Sequence, residues 1–182
     1  PREERWKKAS ELAAKVKAWR DEVRSLWHDA EEKGFPRRLV HNDTKFNNLL
    51  FSSSLQDAIL IDLDTVMPGY AFYDFGDALR SCASTEPEDA ENPGSIRINK
   101  TIYKAFSRGY LEAAGDELTD AEHESLPRAP GAFAFLMGVR FLTDYLQGDT
   151  YFATAHKEHN LQRARSQLRL MERFYDQQEV VN

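Results

Sequence analysis

The sequence predicts a mainly α (α+β) fold, with amphipathic helices around one small antiparallel β-hairpin. Two observations indicate this class. Apolar residues recur every three or four positions along several long segments, as on the buried face of a helix. Two short apolar runs flank a serine-rich turn, as in a hairpin. With 182 residues, of which 41% are hydrophobic, the chain is long enough for a core. We therefore expect a single domain over residues 1–182.

The first predicted helix runs from Glu4 to Lys33 and stops at Gly34. One apolar stripe follows its length, because its apolar residues are mostly three or four positions apart. The stripe consists of Trp6, Ala9, Leu12, Val16, Trp19, Val23, Leu26, Trp27 and Ala30.

The predicted hairpin follows this helix. Its strands cover residues 48–51 and 58–61, and residues 52–57 form the turn. Antiparallel strands with a short connection bring the start of the first beside the end of the second. Those positions belong to Asn48 and Asp62, which could therefore bind one cation. Mg²⁺ prefers hard oxygen ligands and takes few of them from protein, so an Asn and an Asp suit it.

The loop before the hairpin has the spacing of a kinase catalytic loop, H-x-D-x-x-x-x-N, from His41 to Asn48. In phosphoryl transfer a loop Asp accepts the proton of the attacking hydroxyl, which makes Asp43 the candidate catalytic residue. We expect His41 to orient the loop through hydrogen bonds rather than act as a base. Lys45 could approach a phosphate or be a solvated lysine.

The segment after the second strand supports two interpretations. In the kinase interpretation Asp62 is a metal ligand, and Asp64 either contributes to the metal site or is a solvated neighbour. An apolar strand followed by D-x-D-x-[TV] is also typical of haloacid-dehalogenase-like phosphatases, which would use Asp62 and Asp64. That class requires a parallel sheet, and the alternating strands and helices of such a sheet do not follow Val66.

The remainder of the chain is predicted to be helical. Although residues 74–76 spell D-F-G, no strand leads into them, so we expect Asp74 to be the N-cap of a helix over 75–82. Thr119 and Glu122 form a predicted capping box. The other predicted helices cover residues 97–114, 132–147 (the buried central helix) and 156–177.

Composition excludes several classes of protein. A net charge of −6 argues against nucleic acid or an anionic membrane as the main partner. The single cysteine, Cys82, excludes an internal disulfide framework and suits a reducing, cytoplasmic compartment. No apolar run is long enough to cross a bilayer. No two of the nine glycines lie two residues apart, so G-x-G-x-x-G is absent, as is the P-loop pattern.

Three segments together resemble the aminoglycoside phosphotransferase and choline kinase superfamily, most closely its N-acetylhexosamine 1-kinase branch. They are H-N-D-T-K-F-N-N (41–48), I-D-L-D-T-V-M-P-G (61–69) and Y-D-F-G-D-A-L-R (73–80). The resemblance implies the helical C-terminal lobe of a protein-kinase-like fold that uses ATP and Mg²⁺ on a small-molecule sugar. It also implies that Arg140 and Tyr151 line the sugar pocket beside Asp43. Arg140 could instead neutralise Asp144, one helical turn along.

The resemblance divides the domain into a catalytic loop and metal site over 38–66 and a helical subdomain over 73–182. No β-rich, lysine-bearing segment precedes the catalytic loop, so we expect the N-terminal nucleotide lobe to be absent and the fragment to be inactive alone. Besides a sugar kinase, two alternative hypotheses remain: the phosphatase described above, and a non-catalytic binding module derived from a kinase.

Overall fold

A computed structural model of the protein describes residues 2–54 and 57–181, and confirms the mainly helical α+β class. Within these residues the α-helices are α1 (Arg2–Glu32), α2 (Phe72–Cys82), α3 (Lys100–Ala114), α4 (Asp120–Ser125), α5 (Ala129–Gln147) and α6 (His159–Val181). The strands are β1 (Arg38–Val40), β2 (Leu49–Phe51), β3 (Ala58–Leu60) and β4 (Met67–Gly69). No described helix has the length and apolar character needed to cross a membrane.

Helix α5 forms the centre of the core and packs against α1, α2 and α6. Its buried face includes Phe135, Phe141 and Tyr145. The expectation of a buried central helix is therefore confirmed. The helix begins three residues earlier than predicted, at Ala129, because Pro130 fits the first turn of a helix, where its missing N–H has no partner to lose.

The end of α1 directs the chain towards the site. Gly34 adopts a left-handed conformation with φ of 66°, and its N–H donates to the Glu31 carbonyl at 3.3 Å. The Phe35 N–H donates to the Ala30 carbonyl at 2.8 Å. These two bonds form a Schellman motif, which satisfies carbonyls that the helix end would otherwise leave unpaired. Phe35 is buried, so the turn also fixes the path into β1.

Strands β2 and β3 form the predicted antiparallel hairpin, with Leu49 opposite Leu60. The Ile61 N–H donates to the Asn48 carbonyl at 2.9 Å, so the pairing continues to the residue before Asp62. The expected turn includes residues 55 and 56, which lie outside the described residues; the Ser52 N–H donates across it to the Asp57 carbonyl at 2.9 Å.

A second antiparallel pair, which the sequence did not predict, joins β1 to β4 with Arg38 opposite Gly69. Pro68 lies in β4 and cannot donate to a ladder, so the segment lacks an obvious strand signal. This pair places the residues before the catalytic loop beside those that follow the hairpin.

Two further predicted helix starts, those of α3 and α6, are wrong for local reasons. Helix α3 begins at Lys100 rather than Arg97, because the Asn99 side chain caps it by accepting from the Ile102 N–H at 3.1 Å. Helix α6 begins at His159 rather than His156, and the Ala155 N–H donates to the His159 Nδ1 at 3.0 Å in the turn before it. The capping box of α4 is confirmed.

Candidate active site

Asp74 anchors the catalytic loop. The backbone N–H groups of His41 and Asn42 donate to its two carboxylate oxygens at 2.8 and 2.9 Å. The prediction that Asp74 is an N-cap is wrong, because α2 starts at Phe72 and Asp74 lies inside its first turn. The Thr44 hydroxyl donates to the Asp74 carbonyl at 2.8 Å, which adds a third tie between loop and helix.

His41 links the loop to the hairpin. It is buried, and its Nδ1 accepts from the Asp43 N–H at 3.3 Å. Its Nε2 must then carry the proton and donate to the Ile61 carbonyl at 3.0 Å. The Thr65 hydroxyl donates to the His41 carbonyl at 2.6 Å. With both nitrogens bonded to backbone, His41 is placed to orient the loop.

Asp43 lies at the centre of the loop, with a side chain that is 28% exposed. Its Oδ2 accepts from the Lys45 Nζ at 2.6 Å and from the Asn48 Nδ2 at 2.9 Å. Burial raises the pKa of Asp43, but the bonds from Lys45 and Asn48 outweigh it and hold the pKa below its usual value. The carboxylate is therefore ionised at neutral pH. No described residue donates a hydrogen bond to its Oδ1.

Asn48 is buried beside Asp43, and its side-chain nitrogen donates both to the Asp43 carbonyl and to the carboxylate, each at 2.9 Å. With its nitrogen bonded to Asp43, the amide oxygen of Asn48 is the atom that could bind a cation. Lys45 pairs with the carboxylate itself, which neither of the two interpretations of this lysine anticipated.

Asp62 and Asp64 lie together on the exposed rim of the hairpin. Asp62 has a left-handed backbone with φ of 65°, which Asp tolerates better than most residues, and a short 3₁₀ turn over Leu63–Thr65 follows it. A hydrogen bond with the Asp64 carboxyl and the charge of Asp64 raise the pKa of Asp62. The nearby charges of Lys45 and Asp43 act on it more weakly and in opposite directions. Asp62 and Asp64 therefore form an acidic pair whose ionisation responds to the charges of Lys45 and Asp43.

The acidic pair offers oxygen donors of the kind that Mg²⁺ prefers. The described residues contain no group of three or more His, Cys, Asp and Glu side chains that could hold a metal. The predicted ligand set has only two side chains of those types, the carboxylates of Asp62 and Asp64; its third member is the amide oxygen of Asn48. Because the neighbouring Asp64 raises the pKa of Asp62, the two carboxylates disfavour each other's ionisation, and a cation between them would relieve that repulsion.

Arg140 and Tyr151 contact each other. The guanidinium carbon of Arg140 lies 5.7 Å from the centre of the Tyr151 ring and 5.3 Å from that of Phe152. The alternative in which Arg140 neutralises Asp144 is wrong, because the carboxylate oxygens of Asp144 accept hydrogen bonds from the backbone N–H groups of residues 150–152. No hydrogen bond or ion pair between described residues joins Arg140 or Tyr151 to Asp43.

The family-wide sequence model of the phosphotransferase enzyme family matches residues 1–126 of this chain, well over half of its length. The chain belongs to this family. Membership confirms the resemblance to the aminoglycoside phosphotransferase superfamily and identifies the chain as a kinase-like phosphotransferase. The phosphotransferase match includes Asp43, Asn48, Asp62 and Asp64, and it ends before Arg140 and Tyr151.

Sequence reasoning missed the roles of two carboxylates that hold the loops carrying the candidate residues. Asp74 was visible, but its role depends on a contact with residues 32 and 33 positions earlier in the chain. Asp144 was considered only as a partner of Arg140. The signal that could have identified it is the Gly148-Asp149 pair that follows α5, since residues of this kind favour a tight turn back towards a helix end.

Proposed function

We propose that this chain is the C-terminal lobe of a small-molecule kinase that transfers the γ-phosphoryl group of ATP to a hydroxyl of an N-acetylhexosamine-like sugar. One observation supports this most strongly. The Asp43 carboxylate is ionised and fixed through one oxygen by Lys45 and Asn48, while no described residue donates to its other oxygen.

Asp43 is the proposed proton acceptor. With Oδ2 held by Lys45 and Asn48, Oδ1 is the atom to which a sugar hydroxyl would donate. As the phosphoryl group moves to the hydroxyl oxygen, the hydroxyl proton passes to this carboxylate. The backbone bonds from His41 and Asn42 to Asp74 keep the acceptor at a fixed position, which is the main contribution a protein makes to this chemistry.

Asn48, Asp62 and Asp64 would hold Mg²⁺. Their oxygens are hard ligands, and few in number, which suits an ion that keeps water and phosphate oxygens as its other ligands. When bound, Mg²⁺ supplies positive charge that offsets the charge of the phosphates. The hydrogen bond from Asn48 to Asp43 ties the metal site to the proton acceptor.

Arg140 and Tyr151 are the proposed contacts for the sugar. A guanidinium fork and a phenol hydroxyl can hydrogen-bond to ring hydroxyls and to an acetamido carbonyl. The Tyr151 side chain is 73% exposed and stands beside Arg140, so both are accessible to a ligand. The choice of an acetamido sugar rests on the sequence resemblance.

A nucleotide-binding lobe is the proposed cover for the hairpin face. Large apolar side chains are exposed on the hairpin, in the turn after it and on the β1–β4 pair; Leu39, Leu50, Ile59, Leu63 and Met67 are each at least half exposed. Exposed large apolar side chains in such number are typical of an interface. We therefore expect this chain alone to transfer phosphate at no useful rate.

The phosphatase alternative is not supported. The four described strands form two antiparallel pairs, whereas a haloacid-dehalogenase-like site requires a parallel sheet around Asp62.

The test compares the chain alone with an enzyme in which a nucleotide-binding lobe precedes it, using ATP, Mg²⁺ and N-acetylglucosamine. We expect phosphorylation only by the joined enzyme. Asp43→Asn should lower its turnover by roughly a hundred- to ten-thousandfold while thermal unfolding is unchanged, since a general base contributes that much. Asp116→Asn, a matched change on the exposed surface, should leave turnover unchanged.

Other outcomes would contradict the proposal. Sugar phosphorylation by the chain alone would show that the nucleotide lobe is dispensable. No phosphorylation of any sugar by a folded, ATP-binding joined enzyme would favour the non-catalytic binding module. Hydrolysis of p-nitrophenyl phosphate with Mg²⁺ alone would favour the phosphatase hypothesis, provided that Asp62→Asn abolishes it.

A further inference from the structure

We propose that Asp144 is a positioning residue that presents Tyr151, and with it Arg140, to the acetamido group of the sugar. This inference rests on the proposed function and adds to it a residue that acts through another. Asp144 itself is only 3% exposed, so it cannot contact a ligand in solution directly.

The Asp144 carboxylate accepts hydrogen bonds from the loop that carries Tyr151. Its Oδ1 accepts from the backbone N–H groups of Thr150 and Tyr151 at 2.8 and 2.9 Å. Its Oδ2 accepts from the Phe152 N–H at 3.0 Å and from the Asn160 Nδ2 at 2.9 Å. Three consecutive amides directed at one anion form a concave nest, which fixes the backbone on both sides of Tyr151.

The start of the same loop is held from two other helices. Gly148 and Asp149 have positive φ values of 108° and 60°, which turn the chain sharply at the end of α5. The Asp149 carboxylate accepts from the Asn160 Nδ2 of α6 at 3.0 Å and from the Arg5 guanidinium of α1 at 2.6 Å. The same Arg5 nitrogen donates to the Tyr145 carbonyl at 2.6 Å.

The consequence for Tyr151 is a fixed backbone beneath an exposed ring. The neighbouring Phe152 turns inward and packs on Phe141 with ring centres 4.6 Å apart. Tyr151 remains 73% exposed and meets Arg140. Holding contact groups in place before a ligand arrives reduces the entropy lost on binding, so such a loop favours affinity.

Asp144 also keeps Arg140 free of an ion pair. The two lie one turn apart on α5, where opposite charges commonly pair. Because backbone N–H groups and Asn160 occupy the Asp144 oxygens, the Arg140 guanidinium lies against the rings of Tyr151 and Phe152 instead. There Nη1 lies 3.5 Å from the Met137 Sδ, and the other guanidinium donors are available to the carbonyl of a ligand.

The experiment is an NMR titration of the 182-residue chain with N-acetylglucosamine and, as a matched probe, glucose. We expect the wild-type chain to prefer the acetamido sugar. In Asp144→Asn an NH₂ group replaces an oxygen that faces donors, so the loop should loosen. We expect the preference to fall by roughly ten- to a hundredfold, the scale expected when a hydrogen bond to a charged group such as Arg140 is lost. A general loss of structure would weaken the binding of both sugars alike and leave the preference unchanged.

Hydrogen exchange gives a readout that is independent of the sugar. The amides of Thr150, Tyr151 and Phe152 should exchange faster in Asp144→Asn, relative to amides within α5. If that variant does not fold, Arg5→Gln provides the second test, because Arg5 lies at the partly exposed edge of the network. Asp116→Asn, an exposed carboxylate in another part of the chain, is the control.

The outcomes separate the two proposals. If the wild-type chain binds N-acetylglucosamine and both variants keep its affinity and preference while the loop amides exchange faster, the positioning role is overturned and the sugar proposal stands. If the wild-type chain binds neither sugar, the proposed substrate class fails, and this inference fails with it.

Discussion

Removal of the Asp74 carboxylate should release the catalytic loop without unfolding the protein. The perturbation is Asp74→Ala, with Asp74→Asn as the graded variant. In the wild type, the N–H groups of His41 and Asn42 donate to separate oxygens of Asp74. Alanine removes both acceptors. Asparagine keeps one oxygen of the same shape and replaces the other with a donor.

The magnitude follows from these two bonds. A hydrogen bond to a charged group contributes about 1.5–3 kcal/mol, and the low end applies because Asp74 is partly exposed. Loss of both bonds should cost the loop about 3 kcal/mol. At about 1.4 kcal/mol per factor of ten, this is roughly a hundredfold. Asp74→Asn should cost about half as much free energy, which is roughly tenfold.

The assay is amide hydrogen exchange in the 182-residue chain, read by NMR at His41 and Asn42 and compared with amides inside α5. We expect exchange at the two loop amides to accelerate about tenfold in Asp74→Asn and about a hundredfold in Asp74→Ala. Asp116→Asn, a change at an exposed carboxylate, should leave both amides unchanged. In the joined enzyme, turnover should fall in the same order, because Asp43 is carried by this loop.

Two results would refute this reasoning. Unchanged exchange at His41 and Asn42 in a folded Asp74→Ala variant would show that the loop is held by other contacts. Equal acceleration at these amides and throughout α5 would show that Asp74 stabilises the whole domain rather than the loop.

Three further predictions concern the metal site, the core and acid stability. Asp62→Ala should weaken calorimetric Mg²⁺ binding by about tenfold or more, and an unchanged titration would assign the ion to Asp64. Gly76→Ala should cost about 1–3 kcal/mol in thermal unfolding, because a Cβ there would meet side-chain and backbone atoms under 3 Å away. The control Gly109→Ala, with nothing within 4 Å, should stabilise α3 by up to about 1 kcal/mol. Burial raises the pKa of Asp144, but bonds from loop N–H groups outweigh it and lower the pKa. Asp144 therefore stabilises the fold above its unfolded pKa of about 3.9, and this contribution is lost as the pH falls through the lower folded value. In urea unfolding, Asp144→Asn should therefore lower the free energy of unfolding more at neutral pH than in strong acid. An equal loss at both pH values would contradict the lowered pKa of Asp144.

The hairpin and the meeting of Asn48 with Asp43 could be predicted because they depend on local sequence. A turn-rich segment between two apolar runs specifies the register, and five residues separate the two side chains. The capping box of α4 was predictable for the same reason, since Thr119 and Glu122 lie within one helical turn.

The loop anchors could not be predicted in this way. Asp74 bonds to residues 32 and 33 positions earlier, and nothing in its neighbourhood distinguishes that role from an ordinary N-cap. The local rule for N-caps failed because the helix already begins at Phe72, two residues before Asp74. Strand β4 was missed because pairing with β1 outweighs the poor strand propensity of a segment containing Pro68 and Gly69.

The two anchors solve the same physical problem. Asp74 of α2 and Asp144 of α5 each accept consecutive backbone N–H groups from a loop that contains a left-handed residue, Asn42 in one and Asp149 in the other. In each loop the next candidate side chain, Asp43 or Tyr151, stays accessible while its backbone is fixed.

The relative position of the two loops then depends on how α2 packs against α5. Gly76 of α2 lies so close to Ala129 of α5 that an added Cβ would come within 2.9 Å of it. A larger side chain at this point must push the helices apart, because the contact involves backbone as well as side chain. Gly76→Ala should therefore disturb sugar binding as well as stability, through a shift of one anchored loop relative to the other.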